Sequence, residues 1–144
     1  MRCKLLRFWL AAAVLGSSAL AGAATDAPLA AAVQRGDTVA IRQLLDRKVG
    51  INVAQPDGTT ALHWATHQDN PELVSRLLAA GAEVRLMNRY GVMPLAIACQ
   101  NGNAAIITKL LDAGADVHAS LPGGETMLMT AARTGKVDAV RVLV

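Results

Sequence analysis

The sequence predicts an all-α repeat solenoid, in which about four helix-turn-helix units with a 33-residue period are joined by hairpin-like turns. The main support is a 33-residue spacing that recurs along the 144-residue chain. Three residue types repeat at this spacing: Gly58, Gly91 and Gly124; Leu29, Leu62, Leu95 and Leu128; and Ala32, Ala65, Ala98 and Ala131. A unit of this length cannot bury its apolar face alone and must stack on its neighbours. The predicted array therefore presents a continuous surface.

Each unit is predicted to contain a short helix, a tight loop and a longer helix. The loop recurs at Gly36, Asp69, Gly102 and Gly135. Asp37, Asn70 and Asn103 follow directly, and their side chains suit the N-cap of the longer helix. The longer helix carries an apolar pair, predicted to be its buried side, at Leu44-Leu45, Leu77-Leu78, Leu110-Leu111 and Leu143-Val144. Gly81 and Gly114 then supply the positive φ that ends a helix.

The turn that opens each unit resembles the signature of ankyrin repeats. The segments GTTALHWA at 58–65, GVMPLAIA at 91–98 and GETMLMTA at 124–131 look like the family pattern G-x-T-P-L-H-x-A. No copy is complete, because Ala61 and Met127 replace the proline, Ala96 and Met129 the histidine, and Met93 the threonine. The resemblance covers the chain from residue 27 and implies units at about 27–54, 55–87, 88–120 and 121–144. It also implies that His63 makes a structural hydrogen bond near Thr60.

Residues 1–23 are predicted to be a secretory signal peptide. Arg2, Lys4 and Arg7 form a positive start, an apolar stretch follows at 8–21, and small residues offer cleavage sites. Cleavage after Ala21 or after Ala23 fits the pattern, and the second is favoured. An uncleaved anchor needs about 20 apolar residues, whereas this stretch is shorter and contains serines. The sequence therefore predicts residues 24–144 as an exported domain, in the bacterial periplasm or outside the cell.

Charge and composition give no support for nucleic-acid binding. With the three leader cations removed, the remaining 11 Lys and Arg balance 11 Asp and Glu, so the basic character belongs to the leader. Aromatic residues make up only 3% of the chain, too few for base-stacking platforms. The apolar stretches after the leader are short and amphipathic. We therefore expect neither nucleic acid nor, after cleavage, a membrane as the partner.

The sequence predicts no catalytic, metal or cofactor site. His63 and His67 are four residues apart and share one helix face, but no Cys or Glu completes a ligand set of the H-E-x-x-H kind. After the leader the serines are Ser75 and Ser120, and neither lies in a G-x-S-x-G context. Cys99 lies among apolar residues and is predicted to be a small buried hydrophobe.

A protein-binding surface is what the resemblance to ankyrin repeats implies. In that family the turn tips and the exposed face of the first helices form a concave strip. Transferred at the 33-residue spacing, this contact strip comprises Asp57, Thr59, His67, Gln68, Arg89, Tyr90, Val92, Gln100, Asn101, Glu125 and Arg133. Arg89 and Tyr90 are the foremost candidates, because Arg and Tyr are enriched among residues that dominate binding energy. Trp64 is favoured as a packing residue.

Two functions follow from these observations. The first is a non-catalytic, exported scaffold that recognises a partner protein. The second is a structural or targeting arm of a longer protein whose active domain lies beyond residue 144. The fourth unit stops inside its second helix at Val144 without a glycine cap, which favours a fragment of a longer array. Secretion into a host as an effector is a third possibility at the level of the family only.

Overall fold

The computed structural model describes residues 27–144, which form eight α-helices in four consecutive pairs. Their bounds are α1 (Pro28–Arg35), α2 (Thr38–Asp46), α3 (Ala61–His67), α4 (Pro71–Ala79), α5 (Pro94–Asn101), α6 (Ala104–Asp112), α7 (Met127–Ala132) and α8 (Val137–Leu143). The predicted all-α repeat solenoid is confirmed. The predicted signal peptide lies outside the described residues.

The helix pairs stack into two rows. The first helices α1, α3, α5 and α7 pack one on the next, and α4, α6 and α8 form part of a second row. Every first helix also packs on the second helix of its own pair. The largest fully buried side chains include leucines from both rows, among them Leu29, Leu62, Leu77, Leu95 and Leu110. Burial between neighbouring units therefore forms the core, as the 33-residue period predicts.

Side-chain caps start three of the four second helices. The Oδ1 atom of Asp37 accepts a hydrogen bond from the Ala40 N–H at 3.0 Å. Asn70 and Asn103 repeat this bond to the N–H groups three residues on, at 3.0 and 3.1 Å. The equivalent position before α8 is Lys136, which makes no side-chain cap. The predicted caps are confirmed, and each satisfies a backbone donor that the helix leaves free.

The turns between the pairs are hairpin-like, as predicted. Each is closed by a backbone N–H···O bond: Gln55 to Thr59 at 2.9 Å, Asn88 to Val92 at 3.0 Å and Leu121 to Glu125 at 2.8 Å. The turns of the second and third units also contact each other, because the Arg89 N–H donates to the Asp57 carbonyl at 2.8 Å. The turn tips are therefore held by backbone bonds within a turn and between two turns.

Of each predicted buried apolar pair in the first three units, only one leucine is buried. Leu45, Leu77 and Leu110 are buried, whereas Leu44, Leu78 and Leu111 are half-buried. Adjacent helix residues differ by about 100° in direction, so two neighbours rarely share the most buried position. In the last pair Leu143 is half-buried and Val144 is 93% exposed. Within residues 27–144, no helix has the length and apolar character needed to cross a membrane.

Candidate functional site

His63 makes three hydrogen bonds, two to Thr60 in its own unit and one to the third unit. Its Nδ1 atom lies 3.2 Å from the Thr60 backbone N and 2.8 Å from the Thr60 hydroxyl. Since the backbone N–H can only donate, Nδ1 is the acceptor and the proton resides on Nε2. Nε2 then donates to the Val92 carbonyl of the next turn at 3.1 Å. The structural role that the resemblance implies for His63 is therefore present, and the imidazole also bridges two units.

The His63 bridge is expected to make stability depend on pH. Burial lowers the pKa of His63 below its usual value of 6.5, although the Val92 carbonyl and the Asp57 charge oppose this shift. The unfolded state then binds more protons than the folded state between the two pKa values. The His63 contribution is therefore fully present above pH 6.5 and is lost as the pH falls through the lower, folded pKa.

Urea unfolding measured between pH 7.5 and 5 tests this expectation. The free energy of unfolding of the natural chain should fall over this range, and His63→Gln should show a shallower fall. Carboxylates titrate mainly below this range and affect both chains alike. Parallel pH dependences of the two chains would show that His63 is not the titrating group.

Asp57 organises the turn at the start of the second unit. Its carboxylate accepts the Thr59 N–H at 3.0 Å and the Thr59 hydroxyl at 2.7 Å. Partial burial alone would raise the pKa of Asp57. The two Thr59 bonds, together with the positive charge of Arg89, outweigh that effect and hold the pKa below its usual value. Asp57 is therefore ionised at neutral pH. Thr59 was expected on the surface but is only 8% exposed, because its hydroxyl turns inward to Asp57.

A small groove lies between the second and third units on the side of the first helices. It measures about 210 Å³ and is lined by Asp57, Thr59, His63, Trp64, His67, Asn88 and Ile97. We call it the indole groove. The Trp64 and His67 rings meet edge to face, with centroids 5.9 Å apart and an interplanar angle of 79°. The groove thus brings three residues of the contact strip together beside an aromatic pair.

Trp64 is held in place by a chain of amides. Its Nε1–H donates to Gln55 Oε1 at 2.9 Å, and Gln55 Nε2 donates to Gln34 Oε1 at 2.8 Å. Trp64 is half-buried and packs against the core, in line with its predicted packing role. Part of the side chain nevertheless lines the indole groove. Ile97 occupies the equivalent position one unit later, so the repeat spacing could have identified this position as a groove wall.

A second groove, more polar, lies between the third and fourth units. It measures about 420 Å³ and is lined by Gln100, Asn101, Glu125, Thr130, Arg133, Thr134 and Lys136. Arg133 Nη1 contacts Glu125 Oε1 at 2.8 Å, and Lys136 Nζ donates to the Asn101 carbonyl at 2.7 Å. Four residues of the contact strip meet here. Arg133 and Glu125 neutralise each other, whereas the Lys136 ammonium donates to a neutral carbonyl and leaves the groove with one unpaired positive charge.

Two residues of the contact strip also have structural roles that the sequence did not predict. Gln68 Nε2 donates to the Val33 carbonyl at 2.7 Å, and Asn101 Nδ2 donates to the Thr66 carbonyl at 2.9 Å. Each amide thereby caps the first helix of the preceding unit. Gln68 lines a different groove, between α2 and α4, and not the indole groove. These two side chains therefore hold neighbouring units together.

Arg89 and Tyr90 occupy an exposed turn tip. Tyr90 is 65% exposed, and Arg89 is also exposed. The backbone below them is rigidly bonded, because Asn88 Oδ1 accepts the N–H groups of Tyr90 and Val92, both at 3.0 Å. Val92 is half-buried, and its carbonyl accepts from His63. The tip thus presents two large side chains on a fixed turn.

Cys99 and Ser75 carry nucleophilic atoms, and both have structural surroundings. Residues 27–144 contain no group of three or more His, Cys, Asp or Glu residues that could hold a metal ion. Cys99 is fully buried, and burial raises the pKa of its thiol to about 12. A protonated, inaccessible thiol is a poor nucleophile. Ser75 Oγ donates to the Pro71 carbonyl at 2.9 Å, an ordinary helix-surface contact.

Comparison with known proteins agrees with the repeat architecture. A family model described as ankyrin repeats (3 copies) matches residues 16–88 and 67–144. The chain is 37% identical over 112 residues to the ankyrin repeat domain-containing protein SAT10 of Stachybotrys chartarum. The aligned segment covers 78% of this chain and 6% of that protein.

Shorter segments of the chain are similar to other proteins. The Notch-regulated ankyrin repeat-containing protein of Homo sapiens is 39% identical over 71 residues, or 46% of this chain and 62% of that protein. Osteoclast-stimulating factor 1 of Sus scrofa is 40% identical over 52 residues, or 36% of this chain and 24% of that protein. The chain spans less than two thirds of the length of each of these relatives.

Proposed function

This chain belongs to the ankyrin-repeat family, and on that premise we propose that it recognises a partner protein through its turn tips and the exposed face of its first helices. Ankyrin repeats are protein-interaction scaffolds. The observation that carries the proposal is the exposed pair Arg89 and Tyr90 on a turn fixed by Asn88. A surface that is already ordered loses less entropy when it binds. The proposed scaffold is non-catalytic and needs no cofactor.

The remaining contact strip lies on both sides of this tip. The indole groove contributes Asp57 and His67, and the polar groove contributes Gln100, Asn101, Glu125 and Arg133. The turns of the second and third units are joined by one backbone hydrogen bond, from the Arg89 N–H to the Asp57 carbonyl at 2.8 Å. One partner could therefore contact several units at once. A protein is proposed as the partner instead of a nucleic acid because positive and negative residues balance after the leader.

We also propose that the scaffold acts outside the cytoplasm. The support is the pattern of the segment 1–23, with three cations, an apolar stretch and small amino acids at the end. The periplasm and the medium are the two compartments that such a leader serves. Capture of partners from both fractions, with the chain expressed from its own start, tests the function. The mature N-terminus of the captured chain, read by mass spectrometry, tests cleavage near Ala23.

The double substitution Arg89→Ala with Tyr90→Ala is expected to weaken partner binding by about 2 kcal/mol or more, roughly 30-fold in Kd. Both side chains are exposed, so helical content and the melting temperature should remain nearly unchanged. Affinity for the captured partner is measured by calorimetry or surface plasmon resonance.

The matched control is Arg42→Ala with Val39→Ala on α2. Val39 is 65% exposed, the same fraction as Tyr90, and Arg42 is exposed as Arg89 is. This pair belongs to a second helix and stands outside the contact strip, so its replacement should leave the affinity unchanged. Equal affinities of the two double variants would remove the Arg89 and Tyr90 tip from the binding surface.

A further inference from the structure

The indole groove holds an anionic group that lacks an ion-pair partner. Among residues 27–144, the ion pairs within 4 Å are Arg133 with Glu125 and Arg141 with Asp138. The positive charge of Arg89 acts on Asp57, but Arg89 makes no such contact with it. Thr59 fixes the carboxylate through two hydrogen bonds. A rigid carboxylate at the edge of a groove is arranged to receive a cation.

The aromatic wall of the groove favours the same kind of ligand. The Trp64 indole is oriented by its bond to Gln55, and the His67 ring meets it edge to face. Aromatic rings attract a cation that lies within about 6 Å, and Trp does so most strongly. His63 in the same groove is kept neutral, because burial lowers its pKa, and it does not repel a cation. The Asp57 charge and the aromatic ring of Trp64 thus both favour a cationic ligand.

The size of the groove limits what can enter. Its volume of about 210 Å³ lies below the range of about 300–1,000 Å³ that is usual for small-molecule sites. A single side chain is a better match than a whole metabolite. An apolar side chain would take water from the Asp57 carboxylate and return no hydrogen bond, which is costly. An ammonium or guanidinium group replaces that water with charged donors.

We propose that the indole groove receives a lysine or arginine side chain of the partner protein, with the cationic head against Asp57 and Trp64 and the methylene stem along Ile97. This assignment rests on the proposed protein-binding function and names the chemistry of one contact in it. A long basic side chain suits the groove because its stem is apolar while its head is charged. The partner is thereby predicted to present an exposed basic residue to the second and third units.

Tripeptides that differ only in the central residue test this assignment. The full chain is titrated with acetyl-Gly-Lys-Gly-amide and acetyl-Gly-Arg-Gly-amide, and with the central residue changed to glutamine as the neutral control. Binding is followed by NMR at the Trp64 indole N–H and the Thr59 amide. The basic peptides should give saturable shifts at both groups at millimolar concentration, and the glutamine peptide should give none.

Two variants locate the response. Asp57→Asn keeps an acceptor for Thr59 but removes the charge, and it should weaken binding of the basic peptides about tenfold or more. Asp112→Asn at the exposed end of α6 removes the same charge elsewhere and should change nothing. Trp64→Leu should also weaken binding. Melting curves of each variant confirm that it is folded. Equal shifts with the lysine and glutamine peptides, or equal affinity in Asp57→Asn, would overturn the proposal.

The same variants separate this proposal from the proposed function. If Asp57→Asn captures the protein partner as well as the natural chain does, the basic-side-chain contact is wrong while the scaffold function stands. If the basic peptides bind and depend on Asp57, yet no protein is captured, the groove chemistry stands and the scaffold function is wrong. The Arg89 and Tyr90 double variant should still bind the basic peptides, because neither side chain lines the groove.

Discussion

Replacing Leu95 by alanine is expected to lower the free energy of unfolding by about 2–5 kcal/mol. Leu95 is completely buried in α5, which packs between α3 and α7. Removal of its side chain leaves a cavity at the contact between units, where the stability of a repeat array mainly resides. A loss of this size is a large part of the roughly 5–15 kcal/mol that keeps a typical domain folded.

Leu128→Ala provides the matched control for this experiment. Leu128 occupies the same repeat position as Leu95, one unit later, but it is 41% exposed on α7. Its replacement should cost about 1 kcal/mol or less, because much of the side chain contacts solvent in the folded state. Urea unfolding followed by circular dichroism measures both losses. Equal losses would mean that the burial of this repeat position does not determine how much its leucine stabilises the fold.

The repeat period predicted the fold because the signals that start and end these helices are local. Asp37, Asn70 and Asn103 each cap a helix within three residues of their own position. Gly81 and Gly114 have the predicted positive φ values of 96° and 94°. Such features depend on residue type and spacing alone. The order of helices in one repeat therefore predicted their order in the next repeat.

The burial of a side chain depends on the elements around it, and the prediction that equivalent repeat positions are equally buried was wrong. Leu29, Leu62 and Leu95 are buried while Leu128 at the same position is half exposed. The period treats these leucines as equal, whereas within residues 27–144 a later first helix packs on each of α1, α3 and α5. Leu44 and Leu78 are less buried than the adjacent leucines for a different reason, since neighbouring helix residues point about 100° apart.

The contact strip was predicted as a row of equivalent surface positions, and the structure distinguishes its members. Gln68 and Asn101 donate to carbonyls of the preceding unit, and Thr59 is turned toward Asp57. These bonds connect residues up to 35 positions apart or depend on turn geometry. The indole groove formed by Trp64 and Ile97 was missed for the same reason, since it exists only between stacked units.

Gly58→Ala is expected to lower the free energy of unfolding by about 2–4 kcal/mol. Two effects contribute. Gly58 has a φ of +83°, where a residue with a Cβ atom is strained by about 1–2 kcal/mol. A Cβ atom would also lie 2.9 Å from the Asn88 Cα and 3.1 Å from the Arg89 N. Backbone atoms cannot rotate away as a side chain can, so the turns must separate. The 2.8 Å bond from Arg89 to Asp57 should then weaken.

Gly124→Ala isolates the second effect. Gly124 stands at the same repeat position and has the same φ of +83°, but an added Cβ atom meets nothing within 4 Å. Its replacement should therefore cost only the conformational strain of about 1–2 kcal/mol. The difference between the two variants in urea unfolding measures the contact between the turns of the second and third units. If both variants lose the same stability, the contact between these two turns contributes little to holding the units together.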